Sequence, residues 1–303
     1  MVGLGGNNFG RPGSATEGIE GTRAVIDAAL DVGVTCIDTA EMYGAGRSEM
    51  LIGEAIRGRR ERFVIASKFG HADFAMPELS AHPTGSPEYV RGALEASLDR
   101  LGTDYIDLWQ MHTPDPRTPI DVTAGALDEL VADGRIRAYG LSNADAQQVR
   151  RAVAVGSWAS TQDAFSLLQR DAERELLPAV RESGMGFLPY YPLFNGLLTG
   201  KFRRDDTPQD SRLARQKPEL LANAPWDALE AYERLCTELG ITMLDATFGW
   251  TLAQSPVTCV IAGATRPEQV RANAAAAQWM PDAEALRRID EIFPGSLPAD
   301  ASD

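Results

Sequence analysis

Phe63-Val-Ile-Ala-Ser-Lys68 is a β-rich apolar run closed by one ammonium, Ile106-Asp-Leu-Trp-Gln-Met-His112 is a second run closed by an imidazole, and a helix-like stretch lies between them. That stretch opens with Ser86-Pro87, an N-cap followed by an N1 proline, and carries Val90, Leu94, Leu98 and Leu101 at helical spacing before Gly102. The segment Phe63-Val-Ile-Ala66 has no polar alternation, as expected of a parallel strand covered on both faces. Strand, helix and strand in this order form the unit whose repetition sets the fold.

The same alternation runs in both directions from here. Strands are expected at residues 2–6, 35–38, 62–68, 106–112, 136–142, 161–165, 186–191 and 258–262. Helices are expected at 16–31, 48–57, 120–132 and 171–182, each followed by a glycine suited to a left-handed cap (Gly33, Gly58, Gly134, Gly184), and at 282–292. Residues 201–225 are polar and contain proline, which reads as an active-site loop, and helical patterns follow at 226–239 and 242–253. Dividing 303 residues by roughly 150 per domain suggests two domains, yet α/β barrels run to about 250 residues as one unit. Since the alternation crosses the midpoint unbroken, an α/β chain folded as a single (β/α)8 TIM barrel domain over 1–303 is the simplest architecture, with a doubly wound open sheet second.

Composition excludes several classes of function. With 44% hydrophobic and 24% charged residues the chain is neither disordered nor collagenous nor a coiled coil. Asp and Glu number 43 against 29 Lys and Arg, a net charge of −14 spread along the chain, which argues against a nucleic acid partner but leaves room for a local basic pocket. The N-terminal residues have no basic and apolar leader pattern and no run approaches a membrane span, so a soluble, cytoplasmic protein with no membrane partner is expected. Cys36, Cys236 and Cys259 are odd in number and far apart, which supports neither a disulfide framework nor a zinc site, and no metal is expected. Oligomeric state is not legible from these patterns.

A barrel builds its active site at the C-terminal ends of its strands. Those ends hold Asp38 with Tyr43 just beyond, then Lys68, His112, Ser142-Asn143, Gln162 near the sixth strand, and Tyr190. Lys68 needs a carboxylate at the barrel mouth, and Asp38 on the neighbouring strand can supply it. The pair, set beside a phenol, is expected to draw the Tyr43 pKa down from its ordinary value near 10, making the hydroxyl a usable acid. His112 adds a donor suited to a carbonyl oxygen. Singly, a strand-end Asp or Lys is more often a structural ion pair and a Tyr more often packing, so the cluster carries the weight. Glu41, Asp104 and Asp107 read as caps and solvated turn residues, and His71 and His82 as solvated loop residues that have an alternative place lining a pocket.

Asp38-Thr-Ala-Glu-Met-Tyr-Gly-Ala-Gly-Arg-Ser-Glu49, Ser67-Lys-Phe69, Ile106 to His112, Gly140-Leu-Ser-Asn143, Pro192-Leu-Phe-Asn-Gly-Leu-Leu-Thr-Gly-Lys201 and Gly263-Ala-Thr-Arg-Pro-Glu-Gln-Val-Arg-Ala-Asn273 together resemble the aldo-keto reductase superfamily over nearly the whole chain. The resemblance implies an oxidoreductase that reduces a small aldehyde or ketone with NADPH, with a catalytic tetrad at Asp38, Tyr43, Lys68 and His112. It implies that Ser142, Asn143 and Gln162 hold the nicotinamide amide and that Tyr190 stacks on its ring. Contacts to the cofactor are further implied for Gly6, Asn7, Asp38, Pro192, Leu193, Gly196, Thr199 and Lys201, the last supplying charge to a pyrophosphate beneath a loop opened by Gly196 and Gly200. Neither a Walker A loop nor G-x-G-x-x-G is present.

Gly263-Ala-Thr-Arg266 leads into a helix, so Thr265 and free N–H groups form a candidate anion site, with Arg266 and Arg212 as candidates for the adenosine 2′-phosphate and Gln269 and Asn273 for the adenine. For either arginine a solvated surface charge is an equal alternative. Phe69, Trp109 and Phe194 are candidate pocket residues, with a core role for Trp109 the alternative. Two rival readings stand beside the general reductase. One is an NADP-binding regulatory or sensor subunit with little turnover; the other is a narrow reductase of a nucleotide-sugar, a pyridoxal or a secondary-metabolite ketone. Substrate identity is expected to depend on loops 71–86, 113–119 and 201–225 and on the tail after Phe293. Members of that family usually carry an N-terminal β-hairpin that plugs the barrel floor, whereas here the first strand is expected to begin at Val2; either the hairpin lies outside the given residues or it is absent, and in the second case floor side chains would be more exposed.

Overall fold

A computed structural model describes residues 1–74, 76–208 and 211–295, with the side chain of Arg212 outside that description. Eight parallel strands alternate with helices: β1 Val2–Gly5, β2 Cys36–Asp38, β3 Val64–Phe69, β4 Ile106–Met111, β5 Ile136–Ser142, β6 Ser160–Ala164, β7 Gly186–Tyr190 and β8 Val260–Gly263. From β1 to β7 each strand pairs with its sequence neighbour, and β1 also pairs with β8. The ring closes between β7 and β8 through a parallel bridge at Phe187 and Val257, where the Thr258 N–H donates to Phe187 O at 3.0 Å. The result is a (β/α)8 barrel.

The helices wrap the outside: α1 Ile19–Asp31, α2 Arg47–Ala55, α3 Pro87–Leu101, α4 Ile120–Ala132, α5 Ala146–Val153, α6 Leu176–Ser183, α7 Arg212–Gln216, α8 Pro218–Ala222, α9 Trp226–Leu239, α10 Met243–Ala253, α11 Pro267–Ala276 and α12 Ala283–Ile292. In α3 the Ser86 Oγ accepts from the Tyr89 N–H, Pro87 takes the first helical position, and Gly102 ends the helix at φ 63°. The expected helix at 171–182 is in fact a 3-10 turn followed by α6. Pro178 lies in the first turn of α6, where its missing N–H costs nothing, so the α-helix begins late. Short helices α7 and α8 occupy the segment expected to be a plain loop. Residues 75, 209, 210 and 296–303, which belong to the loops and tail expected to govern substrate choice, lie outside the described residues.

Strand periodicity divides the side chains between barrel and shell. Lys68 pairs in register with Gln110 and faces the interior, while Phe69 and Trp109 point outward and stack at 5.2 Å in the helix-covered core. Both are fully buried there, each contributing about 1.5–3 kcal/mol, and neither lines the cavity described below. Phe194 is partly buried against the same core, so all three aromatic pocket candidates are corrected to packing roles. Asp107 is also corrected. It is no turn residue but a member of β4, pairing with Arg60 at 2.7 Å and accepting the Ile65 N–H at 2.9 Å. Asp104 is exposed, as expected of a turn residue.

At the opposite end of the barrel from the cavity, Gly3 leaves room for its neighbours. A Cβ there would stand 2.8 Å from Ile261 Cδ1 and 3.0 Å from Cys259 Sγ. Cys36 and Cys259, distant in sequence, meet in this space with Leu188 and Ile261 around them. All four stay buried, whereas Val64 at the start of β3 is 47% exposed. None of the described helices is long and apolar enough to cross a membrane.

Candidate functional site

The C-terminal ends of the strands open into a cavity of about 820 Å³. It runs from His71, Asp73, His112 and Thr113 past Asp38, Tyr43, Ser142, Asn143, Gln162 and Tyr190 to Thr265, Gln269 and Asn273 at its far end. Period-two alternation delivers the interior groups: Asp38 ends β2, Lys68 is the fifth residue of β3, Gln110 is on β4 and His112 follows it.

Lys68 is fully buried and its ammonium is triply engaged. Nζ donates to Asp38 Oδ2 at 2.7 Å, to Thr39 O at 2.8 Å and to the Tyr43 hydroxyl at 3.4 Å. Asp38 Oδ1 accepts from Gln162 Nε2 at 2.8 Å and from Gln110 Nε2 at 3.5 Å. Burial alone would lower the lysine pKa, but the Asp38 carboxylate overcomes it and holds the pKa above the ordinary lysine value. The cation is therefore permanent.

Tyr43 departs from the sequence expectation. Burial, which disfavours the phenolate, outweighs the opposing Lys68 charge and raises the phenol pKa above 10 rather than lowering it. At neutral pH Tyr43 is therefore a protonated phenol, a proton donor, with a cation in place to receive the phenolate it would become. His112 meets its ring edge to face at 5.9 Å. Burial, with help from Lys68 and His71, pushes the His112 pKa down to about 2, so the imidazole is neutral. Its Nδ1 is buried with no partner among the described residues, which leaves Nε2 as the nitrogen open to the cavity.

The expected nicotinamide contacts converge, but they are already bonded to one another. Asn143 Nδ2 donates to His112 O at 2.9 Å and to Ser142 Oγ at 3.2 Å, and the Tyr190 hydroxyl donates to Asn143 Oδ1 at 2.7 Å. Asn143 holds this position at φ 53°, a left-handed conformation that asparagine tolerates.

Across the cavity, Asn7, Pro192, Leu193, Gly196, Thr199 and Lys201 line the wall, and so does Gly263. Gly196 sits at φ 98°, where a Cβ would fall 2.7 Å from Lys201 Cε, so glycine lets the loop fold against the lysine stem. Lys201 lies 4.8 Å from the Phe202 ring centroid and has no carboxylate within ion-pair distance among the described residues. Partial burial lowers its pKa from the ordinary lysine value. Such a cation beside a glycine-opened loop suits a phosphate group. Gly6, in contrast, lies beneath the wall, where a Cβ would sit 3.0 Å from both Asp38 O and Ser48 Oγ.

The expected anion site at the start of α11 is corrected. The Thr265 and Arg266 N–H groups are not free: they donate to Gln269 Oε1 at 2.8 and 3.2 Å, because a glutamine three residues into a helix reaches back over the helix start. Gln269 and Asn273 still line the cavity. Arg266 does not; its exposed side chain approaches Glu268 at 4.0 Å. The backbone of Arg212 opens α7, and its side chain lies outside the described residues.

Four groups escaped the sequence reading or were misread by it. Gln110 carries a signal, since it stands two residues before His112 on the same strand face. Glu41, expected to be solvated, is buried: its Oε1 accepts the Gly70 N–H at 2.7 Å and the Tyr89 hydroxyl at 2.9 Å, and burial pushes its pKa up to about 7. His71, expected in solvent, takes its alternative place in the cavity wall. Lys217, at the α7–α8 junction, also lines it, over the Tyr191 ring at 5.6 Å.

A model of the "Aldo/keto reductase family" matches residues 1–293. The chain is 36% identical over 275 residues to a protein named "Probable aldo-keto reductase 1" of Glycine max, covering 89% of this chain and 79% of the relative. It is 36% identical over 281 residues to an "NADH-specific methylglyoxal reductase" of Escherichia coli, covering 87% and 86%. Among solved structures, a glycerol dehydrogenase from Gluconobacter oxydans superposes with a TM-score of 0.82 at 31% identity, covering 100% of this chain and 94% of the other. An aldo-keto reductase from Klebsiella pneumoniae in complex with NADPH superposes with a TM-score of 0.77 at 28% identity, covering 99% and 93%.

Proposed function

This chain belongs to the aldo/keto reductase family, and on that premise we propose that it reduces an aldehyde or ketone to the alcohol, with Tyr43 as proton donor and NADPH as the preferred reductant. The observation that carries this reading is the Lys68–Asp38 pair, buried at 2.7 Å directly against the Tyr43 hydroxyl.

When bound, the reduced nicotinamide supplies a hydride to a carbonyl carbon. The chain's own residues do the rest. Tyr43 and His112 both line the cavity with their rings 5.9 Å apart, and there they would donate to the carbonyl oxygen and stabilise the charge that develops on it. Tyr43 then gives up its proton, and Lys68, locked by Asp38, offsets the phenolate until solvent reprotonates it. Because burial leaves His112 so weakly basic, it does not compete for that proton. Gln162 and Gln110 hold Asp38 so that Lys68 cannot swing away. Ser142, Asn143 and Tyr190 would position the nicotinamide, and Asn7, Leu193, Thr199 and Lys201 the phosphates.

NADPH is preferred in this reading because Arg266 directly follows the cavity residue Thr265 and, among the described residues, is approached by one carboxylate, Glu268 at 4.0 Å, leaving its guanidinium able to meet a phosphate at the far end. The Escherichia coli relative is named as NADH-specific, so both nucleotides belong in the test. Steady-state loss of reduced-nicotinamide absorbance over an aldehyde and ketone panel, with NADPH and NADH side by side, should show multiple turnovers. Tyr43→Phe should lower kcat by about 10²–10⁴-fold, the usual contribution of a general acid. Tight nucleotide binding with no turnover on any carbonyl would overturn the proposal in favour of the sensor reading.

A further inference from the structure

Asp38 and Lys68 are held by strands, but Tyr43 stands five residues beyond the end of β2, in the segment that leads to α2. That segment must be fixed for its phenol to stay on Lys68. Past β2 the chain runs on along β3: the Thr39 N–H donates to Ala66 O at 2.8 Å and the Glu41 N–H to Lys68 O at 3.1 Å. A turn follows, in which the Tyr43 N–H donates to Ala40 O at 3.1 Å. The backbone ladder along β3 thus ends at Glu41, two residues short of Tyr43.

The Glu41 side chain extends the hold. Its Oε1 accepts the Gly70 N–H at 2.7 Å and the hydroxyl of Tyr89, on α3, at 2.9 Å. Backbone and carboxyl together therefore clasp β3 on both sides of Phe69, at Lys68 and at Gly70, and tie the segment to α3 as well. Glu41 is only 1% exposed, so solvent does not replace these bonds when they are lost. It does not line the cavity, and so acts only through what it holds. The Tyr43 hydroxyl lies 3.4 Å from Lys68 Nζ, at the long end of hydrogen-bond distances, where a small drift of the segment ends the contact. We propose that Glu41 is a positioning residue for the proton donor: by clasping the end of β3 and α3 through its carboxyl, it sets the distance between the Tyr43 hydroxyl and the Lys68 ammonium. The inference rests on the reductase reading with Tyr43 as proton donor.

The test separates reach from charge. Glutamine keeps the length of the side chain and an acceptor oxygen but has no charge; aspartate keeps the carboxyl but is one methylene shorter. With the full chain, the better nucleotide and the fastest carbonyl of the panel, kcat, carbonyl KM and the nucleotide Kd by fluorescence titration are measured for the wild type, Glu41→Gln and Glu41→Asp. Displacement of a reacting group by about 1 Å costs up to about 10²-fold, so kcat should fall roughly ten-fold or more in Glu41→Asp and stay within about three-fold of the wild type in Glu41→Gln. Carbonyl KM and nucleotide Kd should stay within about two-fold in both, a split that general loosening of the barrel mouth would not produce. Tyr89→Phe removes one donor and leaves Glu41 in place; should Glu41→Asp fail to fold, a fall in kcat alone of about two- to three-fold in Tyr89→Phe is the expected result, and an unchanged kcat overturns the proposal. A folded Glu41→Asp with wild-type kcat, equal losses in the aspartate and glutamine variants, or a loss that falls on nucleotide Kd would each overturn the role of Glu41 and leave the reductase reading standing. A wild type that turns over no carbonyl with either nucleotide would bring down that reading itself, and this inference with it.

Discussion

On the β2–β4 side of the cavity Lys68 is fully engaged, by Asp38, Thr39 and Tyr43, and is sealed from solvent. On the β7–β8 side Lys201 is exposed and has no carboxylate within ion-pair distance among the described residues. The first arrangement fixes a charge beside the phenol proposed to give up its proton, at the cost of desolvating an ion pair. The second leaves a cation for something that arrives from outside. One side acts by preorganisation and the other by remaining unsatisfied, and the same residue type serves both because its surroundings differ.

Three substitutions sharpen this contrast. Lys68→Met strands Asp38 as a buried unpaired carboxylate, so the chain should lose about 3–5 kcal/mol of stability in urea titration along with nearly all turnover. A fully stable variant would mean that the pair is not desolvated in solution.

Glu41→Gln probes the layer beneath that side. A carboxyl whose pKa is raised on folding, here to about 7, contributes stability that is complete below its unfolded value near 4.5 and is lost as pH rises through about 7. The wild type should therefore lose roughly 3 kcal/mol across this window relative to the glutamine variant, which has no such group. Parallel pH–stability curves for the two proteins would contradict the burial of Glu41.

The smallest effect is expected across the cavity. Lys201→Ala should weaken NADPH binding about ten-fold by fluorescence titration, an effect that added salt erodes, while stability stays within about 0.5 kcal/mol. A loss of stability comparable to that of Lys68→Met would erase the distinction between the two sides.

Much of this was legible in advance because hydrophobic period and punctuation are local. Ser86-Pro87 and Gly102 bound α3 as expected, and β5 spans residues 136–142 as expected. Helix α5 went unread although Asp145 and Gln148 form a capping box, since a helix of 8 residues shows little periodicity. Glu41 was misread because a polar residue after a strand looks solvated until Tyr89 of α3 and Gly70 close over it. The N–H groups at the start of α11 read as free because a side chain's reach back to its own helix start depends on the backbone turn actually formed.

The order of the strands, the parallel barrel and the appearance of Asp38, Lys68 and His112 at strand ends follow from the linear pattern of side chains, because a period of two decides which residues share a face. How deeply each group is buried does not follow from it. The raised pKa of Tyr43, the neutral His112, the buried Glu41 and the placing of His71 against His112 came only with the closed structure. Desolvation is set by everything that packs around an atom, and those neighbours arrive from strands, helices and loops distant in the chain.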